Sequence, residues 1–211
     1  MRAPLVSLAG ALALATASLP AIAHDGHVHD GLVAGLAHPI GGADHLLATL
    51  GIGLLAGLAS TVRRQAGAGG PAGLSRIGLA GALGLLAGAV WALLAGTVPG
   101  LPAVSGGIVE PAAAVGLLAV ALALLQAERL GAGGLAAVAL AIALPHGWLH
   151  ASEGSGAAFF IGLAVSSALL FALGAVAARR SARTGDARAT VVRGVAAAGY
   201  VGAFAWTMLA V

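Results

Sequence analysis

Histidine and acidic side chains are concentrated in three short segments of an otherwise apolar chain. The segments run from His24 to Asp30, from His38 to His45 and from His146 to Glu153, and they contain all seven histidines. Such side chains are costly to place in or near hydrocarbon, so in a membrane protein they are functional candidates. Imidazole and carboxylate ligands without sulfur suit divalent metals such as nickel, cobalt or zinc. These residues therefore predict a protein that handles a metal ion.

The composition predicts an all-α, polytopic helical membrane protein. Of the 211 residues, 60% are hydrophobic and 8% are charged, and apolar runs of about twenty residues, the length of a membrane-spanning helix, recur along the chain. Cysteine is absent, which excludes disulfides and thiolate metal sites. Lysine is absent too, which excludes a Walker A nucleotide site. The basic residues are all arginines, and we interpret them as marks of topology rather than of nucleic-acid binding.

The first 23 residues are typical of a secretory signal peptide. Arg2 is followed by an apolar stretch from Leu5 to Thr16 and by the small-x-small cleavage site Ala21-Ile22-Ala23. An uncleaved first helix is the alternative. Cleavage would leave residues 24–32 as a His-rich periplasmic N-terminus. A polar spacer is one interpretation of that segment, and metal capture is the favoured one. The capturing residues would be His24, His27 and His29.

Six membrane spans are predicted within a transmembrane domain of residues 33–211. They cover residues 33–59, 77–97, 107–127, 131–150, 157–178 and 191–211. Beyond the signal, arginine occurs only in or beside the first, third and fifth connections. With the mature N-terminus outside, these connections are cytoplasmic, as the positive-inside rule requires. The sequence thus predicts a bacterial inner-membrane protein with a periplasmic N-terminus. Two Gly-Leu-Leu-Ala-Gly motifs, at 53–57 and 84–88, allow close helix contact.

This topology brings ligand-type side chains from distant spans to one face of the membrane. They are His38, Asp44, His45, His146, His150 and Glu153, with Glu110 as a further candidate. The structural alternatives are a hydrogen-bonding role between helices for the histidines and a helix start for Glu110. On a helix, His146 and His150 are neighbours one turn apart and can chelate one ion.

The pair His38 and His45 is different, because seven residues of continuous helix rise about 10 Å. That separation is too long for one ion. Either the backbone is irregular near Pro39 and Gly41-Gly42, or the two histidines mark successive points on a path. Pro39 suits the first helical position, with His38 as the cap.

At these motifs the chain resembles the HupE/UreJ family of bacterial nickel and cobalt permeases. The resemblance is carried by the signal and His-rich stretch, by His38-Pro39-x-x-Gly42-x-Asp44-His45, and by His146-Gly147-x-x-His150-x-x-Glu153. It extends over essentially the whole chain. It implies nickel uptake, with cobalt as the second candidate, for hydrogenase or urease maturation. It also implies metal-handling roles for the six histidines and carboxylates of the two motifs.

The predicted function is therefore a secondary permease, not an enzyme, that transports Ni²⁺ or Co²⁺ and holds no permanent cofactor. Its expected partners are the metal ion, the lipid bilayer and nickel-enzyme maturation proteins, without nucleic acid. Two alternatives stay open. One is a membrane metalloenzyme with a histidine-carboxylate centre, and the other is an accessory protein that binds metal without transporting it.

Overall fold

A computed structural model describes residues 29–65, 72–183 and 186–210. The predicted signal peptide, its cleavage site, and the candidate capture residues His24 and His27 lie outside these ranges. The described ranges form a helical bundle with one short β-bridge. The elements are β1 (His29–Asp30), α1 (Leu32–Gly41), α2 (Ala43–Gln65), α3 (Ala72–Thr97), α4 (Gly106–Leu125), α5 (Ala127–Glu153), β2 (Gly154–Ser155), α6 (Gly156–Ala182) and α7 (Asp186–Ala210).

Helices α2 to α7 are each long and apolar enough to cross a membrane, which confirms the predicted six-span, all-α architecture. The first predicted span, residues 33–59, differs from the prediction because it consists of two helices, the short α1 followed by α2. Helix α5 starts four residues before the predicted span, but Gly131 interrupts it with a φ of 58°. The regular part of α5 therefore begins close to residue 131, as the sequence predicts.

Helix α2 lies at the centre of the bundle and contacts each of the other six helices. Its buried side chains include Leu47, Leu55 and Ala59. Helices α3 and α6 lie at the periphery and expose many large apolar side chains, among them Leu86 and Leu169. Exposed apolar side chains of this kind on long apolar helices are the mark of a membrane protein.

The two Gly-Leu-Leu-Ala-Gly motifs form close helix contacts in the bundle. A Cβ at Gly53 or Gly57 of α2 would overlap a backbone carbonyl oxygen of α6. A Cβ at Gly84 or Gly88 of α3 would overlap one of α5. In both pairs, the second glycine of the motif contacts a residue four positions further along the partner helix than the first glycine does. The paired helices are therefore parallel. This arrangement confirms the predicted close packing and agrees with the alternating direction expected of successive spans.

The two ends of the bundle differ in charge. One end carries the ends of α2 and α6 together with the starts of α3, α5 and α7, and every arginine in the described helices lies near it. There Arg193 forms a 3.1 Å ion pair with Glu128, as expected for an ordinary solvated pair. We call this the arginine end. The opposite end carries the start of α2 and the end of α5, where the candidate metal ligands lie. Which end faces the cytoplasm stays a prediction.

We predict that Gly88→Ala destabilises the bundle, whereas Gly96→Ala on the same helix does not. The added methyl group at Gly88 would meet the backbone of α5, but at Gly96 it meets nothing within 4 Å. Overpacking of this kind costs about 1–3 kcal/mol. The free energy of unfolding, measured by denaturant titration in detergent micelles, checks this. Equal stabilities of the two variants would mean that the glycine contacts do not hold α3 against α5.

Candidate metal centre

A break in the backbone at Gly42 brings the first two histidines together. Helix α1 ends at Gly41, and Gly42 is extended, with φ −106° and ψ 121°, before α2 begins. The ring centroids of His38 and His45 are consequently 5.2 Å apart, instead of being separated by a rise of about 10 Å along a continuous helix. Of the two alternatives left open by the sequence, the irregular backbone is therefore the one observed.

Pro39 was expected at the first position of a helix, with His38 as its cap, and this prediction is wrong. Helix α1 begins seven residues earlier, at Leu32, and Pro39 lies inside its last turn. A proline there leaves the carbonyl of Gly35 without its helical donor. The hydroxyl of Ser166 in α6 lies 3.5 Å from that carbonyl oxygen, but it is closer, at 3.1 Å, to the carbonyl oxygen of Gly162 in its own helix, to which it donates. At Gly35 the backbone of α1 packs directly against that of α6.

Six of the predicted ligand residues lie together at this end of the bundle and form two overlapping groups. Within each group, one ligand atom per residue lies within 4.8 Å of the others. The first group has four members: His38, His45, His150 and Glu153. The second group has three: Asp44, His45 and His146. Metal–nitrogen bonds are about 2 Å long, so ligands on opposite sides of one ion lie about 4 Å apart. Each group is therefore compact enough to close on a single ion.

His45 is the residue common to both groups. Its ring centroid is 4.7 Å from that of His150 and 5.0 Å from that of His146. Only 1% of its surface is exposed. As predicted, His146 and His150 lie one turn apart on the same face of α5, which here points towards His45. An ion held by one group is therefore within a few ångströms of the other.

All four imidazoles are buried in largely apolar surroundings. His38, His146 and His150 are 4–8% exposed, and the ring of Phe159 packs edge-on against His38 at 5.4 Å. Among the described residues, the Nδ1 atom of His150 has no hydrogen-bond partner. A buried polar atom in this condition is costly unless a ligand compensates for it. A divalent cation bound at this atom would supply that compensation.

A hydrogen bond fixes which nitrogen of His146 faces the centre. His146 lies with Nδ1 2.9 Å from the carbonyl oxygen of Ile142. Because a carbonyl only accepts, Nδ1 must carry the proton, which leaves the lone pair on Nε2. A carbonyl partner of this type is usual for a metal-binding histidine. The carboxylate of Asp44 lies 3.1 Å from Nδ1 of His45 as an ion-pair contact.

Glu153 lies across the centre from α5 to α1, with its carboxylate 3.3 Å from Nε2 of His38. Its side chain is 14% exposed, as is that of Asp44. Immediately after Glu153, Gly154 and Ser155 pair in parallel with His29 and Asp30. The end of the His-rich N-terminal segment is therefore attached beside this carboxylate, a contact that the sequence did not predict.

Glu110 belongs to neither ligand group among the described residues. It lies in the second turn of α4, partly buried, with its carboxylate above Gly106 of the same helix. Glu110 and Pro111 thus lie inside α4 and not at its first residues, so the helix-start interpretation is not confirmed.

Sequence reasoning also missed two supporting residues, Phe159 and Tyr200. The buried Tyr200 hydroxyl of α7 donates a 2.8 Å hydrogen bond to the carbonyl of Leu47, two residues beyond His45. The one tyrosine of the chain, set in an apolar span, is a signal that could have been used. Phe159 carries no comparable signal.

Comparison with known protein families gives one match, to the model described as HupE / UreJ protein, over residues 12–205. The chain belongs to the HupE/UreJ family. The match covers both histidine motifs, the first five spans and most of the sixth, which confirms the resemblance inferred from the motifs. Neither the curated proteins nor the solved structures contain a match to this HupE/UreJ protein.

We expect His45→Ala to impair Ni²⁺ binding more than His146→Ala, because His45 belongs to both ligand groups and His146 to one. Loss of a ligand or its orienting partner costs about 10–100-fold in affinity, so His45→Ala should lie at the upper end. Equilibrium dialysis of the purified protein with Ni²⁺ measures this. Ser60→Ala is the control, since Ser60 is a buried polar residue of α2 whose hydroxyl donates to the carbonyl of Gly57 in the same helix. Equal affinities of all three variants would contradict the shared role of His45.

Proposed function

We propose that this HupE/UreJ protein is a secondary transporter that takes up a divalent transition metal across the bacterial inner membrane. Nickel is the first candidate and cobalt the second. The observation that carries the proposal is the meeting of four buried imidazoles and two carboxylates from α1, α2 and α5 inside a six-span bundle. The association of the family with nickel and cobalt transport supports it.

The chemistry of the ligands suits an ion that binds and is then released. Imidazole nitrogen and carboxylate oxygen can both bind nickel and cobalt, and protons compete with the metal for both ligands. Two groups that share His45 would let the ion exchange ligands stepwise. It would pass from His38 and Glu153 to Asp44 and His146 without losing its coordination all at once.

The direction of transport follows from the topology predicted by the arginines. In this orientation the metal centre opens to the periplasm, and the His-rich segment attached beside Glu153 delivers metal to it through His24, His27 and His29. The membrane potential favours cation uptake by about 2.3 kcal/mol per charge per 100 mV. For a divalent ion this driving force is sufficient for uptake, so transport requires no nucleotide hydrolysis. The imported ion would supply hydrogenase or urease maturation proteins.

Two other functions would use the same ligands. Metal retention and metal flux distinguish them from transport. A membrane metalloenzyme would keep its ion through purification and chelation, whereas a transporter should release it. An accessory binding protein would bind metal without flux in reconstituted vesicles. No feature of the described residues favours either one over transport.

The structure provides a matched pair of carboxylates to test the proposal. We expect Glu153→Gln to reduce Ni²⁺ uptake at low external concentration by about tenfold or more, because it removes a charged ligand from the four-residue group. Glu110→Gln makes the same chemical change in a carboxylate outside both groups and should leave uptake near that of the unmodified protein. Uptake of radioactive Ni²⁺ into proteoliposomes with an imposed membrane potential is the measurement.

Competition with Co²⁺ and Zn²⁺ in the same vesicles would establish the preferred ion. Absence of potential-driven flux in the unmodified protein, with Ni²⁺ binding intact, would refute transport and favour the accessory function.

A further inference from the structure

A half-open cavity of about 260 Å³ lies next to the candidate metal centre, between α2, α3, α5 and α6. Its lining residues Ala82 of α3 and Ala168 of α6 are exposed. His146 and His150 line it on the side of the metal centre, one from each ligand group. At about 30 Å³ per molecule in the liquid, this space is large enough for several waters. The cavity is therefore continuous with the ligands and large enough to hydrate an ion.

The cavity extends from these histidines towards the arginine end. On α6, its lining residue farthest in that direction is Phe171, fifteen residues after the helix begins at Gly156. Fifteen residues of helix rise about 22 Å, which is beyond the middle of a hydrocarbon core of about 30 Å. An ion that left His146 in this direction would thus cross the most costly part of the membrane within the cavity.

Two hydroxyl groups line the cavity below the histidines. Thr49 lies one turn after His45 on α2, and Ser167 lies on α6. Hydroxyls in apolar helices usually bond to a carbonyl of their own helix, as those of Ser60 and Ser166 do here. In the ranges that the structure describes, the Thr49 and Ser167 hydroxyls make no such bond. They can therefore act as donors or acceptors to the contents of the cavity.

The floor of the cavity is apolar. The ring of Phe171 lies 3.3 Å from where a Cβ on Gly78 would be, and Ile52 lies equally close to the corresponding point on Gly81. Both contacts join residues that line the cavity towards the arginine end. Apart from the two histidines, none of the described lining residues carries an ionisable side chain, so an ion would not be trapped there.

We infer that this cavity is a water-filled vestibule on the ion's path, entered from His146 and closed at its floor by Phe171 against Gly78. The inference rests on the proposed transport function and adds the route by which the ion leaves the metal centre. A divalent cation is too costly to move through hydrocarbon without ligands or water. Water held by Thr49 and Ser167 would replace the imidazoles as the ion moves on.

The absence of cysteine makes a direct test possible. In the Ser167→Cys variant the one thiol would face the cavity. In the Leu169→Cys variant, two residues along the same helix, it would lie at a position that is 66% exposed on the lipid-facing surface. Both proteins, in lipid nanodiscs, are treated with a trimethylammonium methanethiosulfonate, which reacts with thiolates only where water reaches them. We expect Ser167→Cys to react at least about tenfold faster than Leu169→Cys, because a charged reagent is excluded from hydrocarbon. Saturating Ni²⁺ should slow the reaction.

Phe171→Ala, added to Ser167→Cys, should accelerate the reaction further by opening the floor. If Ser167→Cys is as unreactive as Leu169→Cys with and without Phe171→Ala, the cavity is dry or filled by lipid, and the inference is wrong. Uptake by the cysteine-free protein, measured separately in proteoliposomes, decides whether the transport function itself holds. A dry cavity with intact uptake therefore overturns the route alone.

Discussion

The extended backbone at Gly42 is the feature on which the metal centre depends. A helix that continued from α1 into α2 would place His38 and His45 about 10 Å apart along its axis. The break instead turns α1 so that His38 faces His45, His150 and Glu153. Irregular backbone at membrane depth is tolerated where it is buried in protein or lines a cavity, and Gly42 is buried. At the other end of α1, the pairing of β1 with β2 joins the N-terminal segment to the residues after Glu153.

Close glycine contacts make this arrangement possible. Apolar side chains gain little by leaving lipid, so helices in a membrane associate largely through tight packing and hydrogen bonds. Here the glycines join α2 to α6 and α3 to α5 as two parallel pairs, and α2 also packs against α5. The histidine face of α5 is thereby held against the start of α2. The cavity is the space left where the two pairs meet, which explains why it begins at the histidines and is lined mainly by small residues.

The architecture was largely predictable from the sequence because it follows from local chemistry. The length of the apolar runs predicts the six spans, and the Gly-Leu-Leu-Ala-Gly motifs predict the close helix contacts. The i, i+4 spacing of His146 and His150 gives their common face. The residues of the candidate metal centre were predictable for a related reason, since the predicted topology brings both histidine motifs to one end of the bundle. The roles of the ligands remain predictions.

What the sequence could not give are contacts between distant segments. Pro39 lies in a helix that packs closely against α6 at Gly35, a contact that has no local signal in the sequence. The sharing of His45 between two ligand groups depends on the crossing of α2 and α5. The separation of Glu110 from the ligands depends on the rotation of α4, which a nearly uniform apolar sequence does not specify.

The central claim is that imidazoles from three helices bind the same ion. X-ray absorption spectroscopy of the purified protein with one equivalent of Ni²⁺ counts those imidazoles directly, and a background variant with His24, His27 and His29 changed to alanine removes the N-terminal segment as a source. The account predicts at least three imidazole nitrogens together with carboxylate oxygen in the first coordination shell. A shell with fewer than three imidazoles, completed by water, would contradict it.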